Sequence, residues 1–84
     1  MPLFMDVHRS LPEGATADDL MHAHEADVQT QGKYGVTYLT FWADPQAGKA
    51  FCLVEAPDAE AAASVHREAH GLVADAIFAV AEGS

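Results

Sequence analysis

Val36-Thr37-Tyr38-Leu39-Thr40-Phe41-Trp42-Ala43-Asp44-Pro45-Gln46-Ala47-Gly48-Lys49-Ala50-Phe51-Cys52-Leu53-Val54-Glu55 decides the fold. Val36 to Ala43 is a β-branched and aromatic run, which reads as a strand. Asp44 to Gly48 is a hairpin turn, because proline presets one φ angle and glycine permits another. Lys49 to Glu55 is the returning strand, with Phe51, Leu53 and Glu55 facing one way and Ala50, Cys52 and Val54 the other.

On the N-terminal side of this hairpin, Thr16 is a natural N-cap, and Asp18 and Asp19 fall in a first helical turn that favours carboxylates. The helix is predicted to run to about Gly32, with Ala17, Leu20, Met21, His24 and Val28 as its apolar stripe. His24 thus lies in the inward stripe, while His22 points away beside Asp18 and Glu25. Further upstream, Leu3 to His8 reads as a strand that puts Leu3, Met5 and Val7 on one face and Phe4, Asp6 and His8 on the other. After the hairpin, Pro57 stops the strand and Asp58 caps an alanine-rich helix that continues to Gly71. Ala76 to Val80 is a short fourth strand, and Glu82-Gly83-Ser84 is a loose tail.

The order β-α-β-β-α-β folds, through right-handed crossovers and one hairpin, into an α+β ferredoxin-like sandwich. Its four-stranded antiparallel sheet carries both helices on one face, and its first and third strands are central neighbours. The other face, with Phe4, Trp42 and Phe51 as candidates, holds too much apolar area to leave in water. A second subunit is the simplest cover, so the chain is expected to be a homodimer through the open sheet face.

The 84 residues make one domain, 1–84, and a chain this short buries only about 60% of the surface its unfolded form exposes. Thirteen acidic against four basic residues give a formal charge of −9. That charge repels phosphate backbones and anionic lipids, so nucleic acid and membrane surfaces are poor partners and cations good ones. No apolar run approaches the ~20 residues of a membrane helix. The N-terminal residues lack the basic and apolar regions of a signal peptide, which points to a cytoplasmic protein. The single cysteine, Cys52, excludes an internal disulfide and a CxxC motif.

The chemistry lies in the histidines. His66 and His70 are four residues apart on a helix, where Cβ atoms stand about 5–6 Å from one another. Two imidazoles so placed can close on one metal ion, and imidazole suits Zn, Cu, Fe and Ni. A solvated helix edge beside Arg67 and Glu68 is the bland alternative. The topology brings the end of the first strand to the end of the second helix, so Asp6, His8, His66 and His70 form the first-choice ligand set. They meet at one edge of the domain, around the rim, or across a dimer contact. His24 is a further candidate, against the reading of a core histidine bonded to a backbone carbonyl. Glu55 is another, against a simple strand-end carboxylate, and Cys52 reads as a small buried core residue.

The segments Met5-Asp6-Val7-His8, Tyr34-Gly35-Val36, Tyr38-Leu39, Phe51-Cys52-Leu53-Val54-Glu55-Ala56-Pro57 and Val65-His66-Arg67-Glu68-Ala69-His70-Gly71-Leu72-Val73 resemble those of the small bacterial nickel-binding proteins of ferredoxin-like fold. The resemblance runs from Met1 to about Val80. It implies a homodimer that binds Ni²⁺ for sequestration or detoxification, not for catalysis, with Asp6, His8, His66 and His70, and then His24 and Glu55, as metal residues. Zn²⁺ and Cu²⁺ fit the same donors. Two other classes stay open. One is a small dimeric α+β barrel enzyme, monooxygenase- or isomerase-like, using a cleft histidine as base with Tyr38 or Trp42 lining the pocket. The other is a non-catalytic dimeric interaction module in which the histidines are incidental.

Overall fold

The structure, a computed structural model, describes residues 1–83; the C-terminal Ser84 of the expected tail lies outside them. Its elements are β1 (Leu3–His8), α1 (Ala17–Thr30), a 3-10 turn (Gln31–Tyr34), β2 (Thr37–Asp44), β3 (Lys49–Glu55), α2 (Ala59–Ala69) and β4 (Ala76–Ala79). The sheet order is β2-β3-β1-β4 with every neighbouring pair antiparallel, and β1 and β3 are its central strands. This is the ferredoxin-like arrangement expected from the order of elements.

Local chemistry sets the boundaries. The Thr16 side chain accepts from the Asp19 N–H while Asp19 accepts from the Thr16 N–H, a complete capping box at the start of α1. Asp58 caps α2 by accepting from the Ala61 N–H at 2.8 Å. α1 ends sooner than expected, at Thr30, and tightens into the 3-10 turn, which closes on Gly35 at φ 66°.

The helices cover the sheet face that carries Phe4, Asp6, Tyr38, Cys52 and Val54. Val36, Tyr38, Val54, Ala56, Ala62 and Val65 are the buried core there, with Phe4 packed against it. Phe4 is therefore not on the open face, as expected from its size; it shares the parity of Asp6 on β1 and goes inward with it. The open face is striped by registered pairs instead. Phe78 lies beside Met5 and Met5 beside Leu53, while Val7 lies beside Phe51 and Phe51 beside Trp42. Trp42 and Phe78 stay about half exposed, at 52% and 51%.

A bulge in β2 makes the inner face possible. Tyr38 pairs with Val54 and Thr40 with Leu53, so Leu39 is an extra residue in the strand. Strict alternation would send Tyr38 and Phe41 to opposite faces. With the bulge both turn inward, opposite Val54 and Cys52.

α1 departs from its expected stripe. Met21 and Val28 are each 45% exposed, and Asp27 is buried at 2%. The inward line runs through Leu20, Ala23, His24 and Asp27, a spacing as helical as the alternative but with a carboxylate where the apolar pattern pointed to Val28.

Candidate metal centre

β1, α2 and α1 deliver the histidines and carboxylates, and β2 and β3 add Tyr38 and Cys52. On β1 the two-residue repeat turns Asp6 and His8 toward the helices, where Asp6 is 0% and His8 8% exposed. On α2 the small residues Ala62 and Ala63 let the helix approach the sheet closely, and the same face carries Val65 and His66 inward. α1 contributes Asp27. The expected histidine pair is thus no solvated edge: His66 is 1% exposed and sits in the middle of the core.

His66 is the hub. Its Nδ1 donates to Asp27 Oδ1 at 2.9 Å, which fixes that proton because a carboxylate can only accept. Its Nε2 stands 2.7 Å from Asp6 Oδ2, an ion-pair distance, yet the N–H axis meets no acceptor squarely. The Tyr38 hydroxyl donates to that same Asp6 oxygen at 2.7 Å and lies 3.1 Å from the Ala62 carbonyl oxygen. Tyr38 and His8 flank the His66 ring, with centroids 4.6 and 5.2 Å away. Asp6 Oδ1 and the Nε2 atoms of His66 and His70 are buried without an aligned hydrogen-bond partner among the described residues.

His70 caps the C-terminus of α2 rather than extending it. Gly71 takes φ 81° and its N–H bonds back to the His66 carbonyl at 2.8 Å, a turn that the left-handed region reserves for glycine. The chain then brings the Leu72 N–H to His70 Nδ1 at 3.1 Å. His70 Nε2 lies 3.0 Å from Asp27 Oδ1. One Asp27 oxygen therefore meets two imidazoles.

The electrostatics follow from burial and pairing. Burial works against charge on His66, but the hydrogen bonds to Asp27 and Asp6 outweigh it, and its pKa is pushed up to about 11. Burial and the neighbouring charged His66 push His8 the other way, below the usual histidine value. Burial raises the Cys52 thiol pKa. Burial would raise Asp27 too, yet the bonds from His66 and His70 hold it below the usual carboxylate range.

Two donor triads are close enough to hold an ion, each with its three ligand atoms within 4.8 Å of one another: His8, Cys52 and His66, and Asp27, His66 and His70. They share His66. A cavity of about 30 Å³ runs alongside both, between α1, the sheet and the end of α2, with room for about two water-sized spheres. Imidazole, carboxylate and thiol together are the donor chemistry of a borderline divalent ion, and Asp6 Oδ1 and His66 Nε2, buried without an aligned partner among the described residues, fit such an occupant.

The sequence-derived candidates fall into three groups. Asp6, His8, His66 and His70 come together, beneath the helices and not around the rim. His24 lines the cavity, its ring centroid 5.3 Å from that of Phe41, and belongs to neither triad. Glu55 stands apart: it pairs with Leu3 at the far end of β1 from His8, with its side chain on the open face. The apolar pattern does not point to Asp27, because its neighbour Val28 is the better core residue by that pattern. The available signal was a carboxylate near a helix C-terminus, where the dipole disfavours it, three residues after an inward histidine.

Residues 4–80 match a family described as "Nickel responsive protein SCO4226-like". The crystal structure of SCO4226 from Streptomyces coelicolor A3(2) is similar to this chain with a TM-score of 0.88 and 43% identity, covering 98% of this chain and 99% of that one. Among curated proteins, none matches. The match over nearly the whole length and the shared fold lead to one conclusion: this chain belongs to the SCO4226-like nickel-responsive protein family.

Proposed function

We propose that the protein binds a divalent transition metal ion, nickel by the description of its family, and sequesters it by equilibrium binding without turning over a substrate. The observation that carries this reading is the convergence on His66 of buried ligand groups from β1, α1 and α2, with Asp6 Oδ1 and His66 Nε2 lacking an aligned partner among the described residues. Asp6, His8, His66 and His70 are the side chains in play, with Asp27 added to them and Glu55 removed from them. His24 lines the cavity beside them. The formal charge of −9 draws cations toward the chain. Such donors bind copper at least as tightly as nickel in vitro, so the ion held in the cell is decided by supply as well as by affinity.

The chain works as a homodimer in this reading, with the Trp42, Phe51, Met5 and Phe78 face of the sheet covered by a second copy. Half-exposed Trp42 and Phe78, in two neighbouring apolar rows on the same sheet face, support it.

Calorimetric titration of the metal-free protein with Ni²⁺, Zn²⁺ and Cu²⁺, alongside a His66→Ala/His70→Ala variant, tests the function. Saturable binding that the variant loses is the expected result. Absence of saturable binding in the wild type would overturn it and turn attention to the cavity as a site for an organic ligand.

A further inference from the structure

We propose that, of the two triads, His8, Cys52 and His66 coordinate the ion, while Asp27 and His70 orient His66 and do not coordinate; this rests on the metal-binding reading above. The argument is a count of protons and lone pairs. The Leu72 N–H can only donate, so His70 Nδ1 must be its acceptor. A neutral imidazole carries one proton, which therefore sits on His70 Nε2, the atom turned toward Asp27 at 3.0 Å. His70 has no lone pair to offer unless the Leu72 bond breaks.

His66 is arranged the opposite way. Asp27 holds the proton on Nδ1, so the lone pair becomes available on Nε2 once that atom gives up its own proton. A carboxylate that fixes the tautomer of a metal-binding histidine is the usual outer support of such a ligand. His66 is 1% exposed, and its Nε2 is among the buried atoms without an aligned partner. On the same inward face, Asp6 pairs with Cys52 across β1 and β3, and His8 follows two residues along. The three donor atoms lie within 4.8 Å of one another. Bond lengths of about 2.0–2.1 Å to nitrogen and 2.3 Å to sulfur at tetrahedral angles bring the donors of one ion to about 3.5 Å from one another. A pair at the full 4.8 Å closes by about 1 Å, shared between two side chains that turn beside a cavity.

A thiolate among imidazoles selects ions that accept sulfur, such as Ni²⁺, Zn²⁺ and copper, and excludes Mg²⁺ and Ca²⁺. Binding releases the Cys52 thiol proton and the His66 Nε2 proton to solvent; no electron moves.

The test is near-ultraviolet absorption during titration of the full chain with Ni²⁺ and, separately, Co²⁺, under reducing conditions. The inference expects an intense sulfur-to-metal charge-transfer band that grows to saturation with the binding isotherm, is lost in Cys52→Ser and is kept in His70→Gln. Saturable calorimetric binding without any such band in the wild type overturns the Cys52 assignment while leaving metal binding intact. A band that disappears in His70→Gln with the fold retained by circular dichroism overturns the division of roles. No saturable binding at all overturns both readings. Because the wild-type band alone is decisive, the test survives a Cys52→Ser chain that fails to fold.

Discussion

His66 Nδ1 and Asp27 Oδ1 lie 2.9 Å apart across 39 positions of sequence and join the last part of α1 to α2 in the middle of the core. Both side chains are essentially closed to solvent. The pair therefore serves the fold and the candidate site at once.

Removing the carboxylate should show the first role. Asp27→Ala leaves His66 with one charge partner and His70 with none, and breaking a buried pair costs about 3–5 kcal/mol. Urea denaturation of the metal-free protein measures it. A loss below about 0.5 kcal/mol, the range of an ordinary surface substitution, would contradict the network.

Asp27→Asn should separate the second role from the first. The amide oxygen still accepts from Nδ1 but carries no charge, and changes of this outer kind weaken metal affinity about 10–100-fold. Calorimetry reads the affinity. An unchanged value would mean that Asp27 does not support the ligand.

The stability of the metal-free protein should fall in alkali. The His66 pKa is raised from 6.5 to about 11 in the folded chain, so its stabilising contribution is complete below 6.5 and is lost as pH rises toward the folded value. Asp27, held below the usual carboxylate range, contributes above its unfolded pKa and loses that contribution in acid. Denaturation midpoints taken from mild acid to pH 10 should decline on the alkaline side, and His66→Gln should flatten the decline.

Metal affinity should run against that trend. Protonated imidazole cannot coordinate, so each step toward acid favours the proton over the ion. Titrations in buffers of different ionisation enthalpy should also reveal proton release on binding. An affinity that stays flat from neutral to mildly acid pH would exclude histidine ligands.

Trp42→Glu with Phe78→Glu should convert a dimer into a monomer, as read by analytical ultracentrifugation, because charge is expensive in the middle of an apolar contact. Glu55→Ala should leave metal affinity unchanged, since that carboxylate lies on the far face of the sheet from His66.

Sequence by itself determined the element order, and with it the topology. The N-caps Thr16 and Asp58, the Asp44–Gly48 turn and the aromatic strands act through neighbours a few residues away, and such local rules can be read in one dimension. It also determined that Asp6 and His8 share one face of β1, because strand parity is a property of the backbone. It did not determine which face. That was decided when the helices docked on the side of Phe4, Asp6 and His8, a choice made by total burial over the whole sheet. Two further facts belong to tertiary structure alone. The bulge at Leu39 reverses the parity of β2 so that Tyr38 reaches Asp6. Asp27 is buried although Val28 is the more apolar, because the positive ring of His66 waits opposite it. A charge can enter a core only where its partner already stands, and that partner comes from a distant part of the chain.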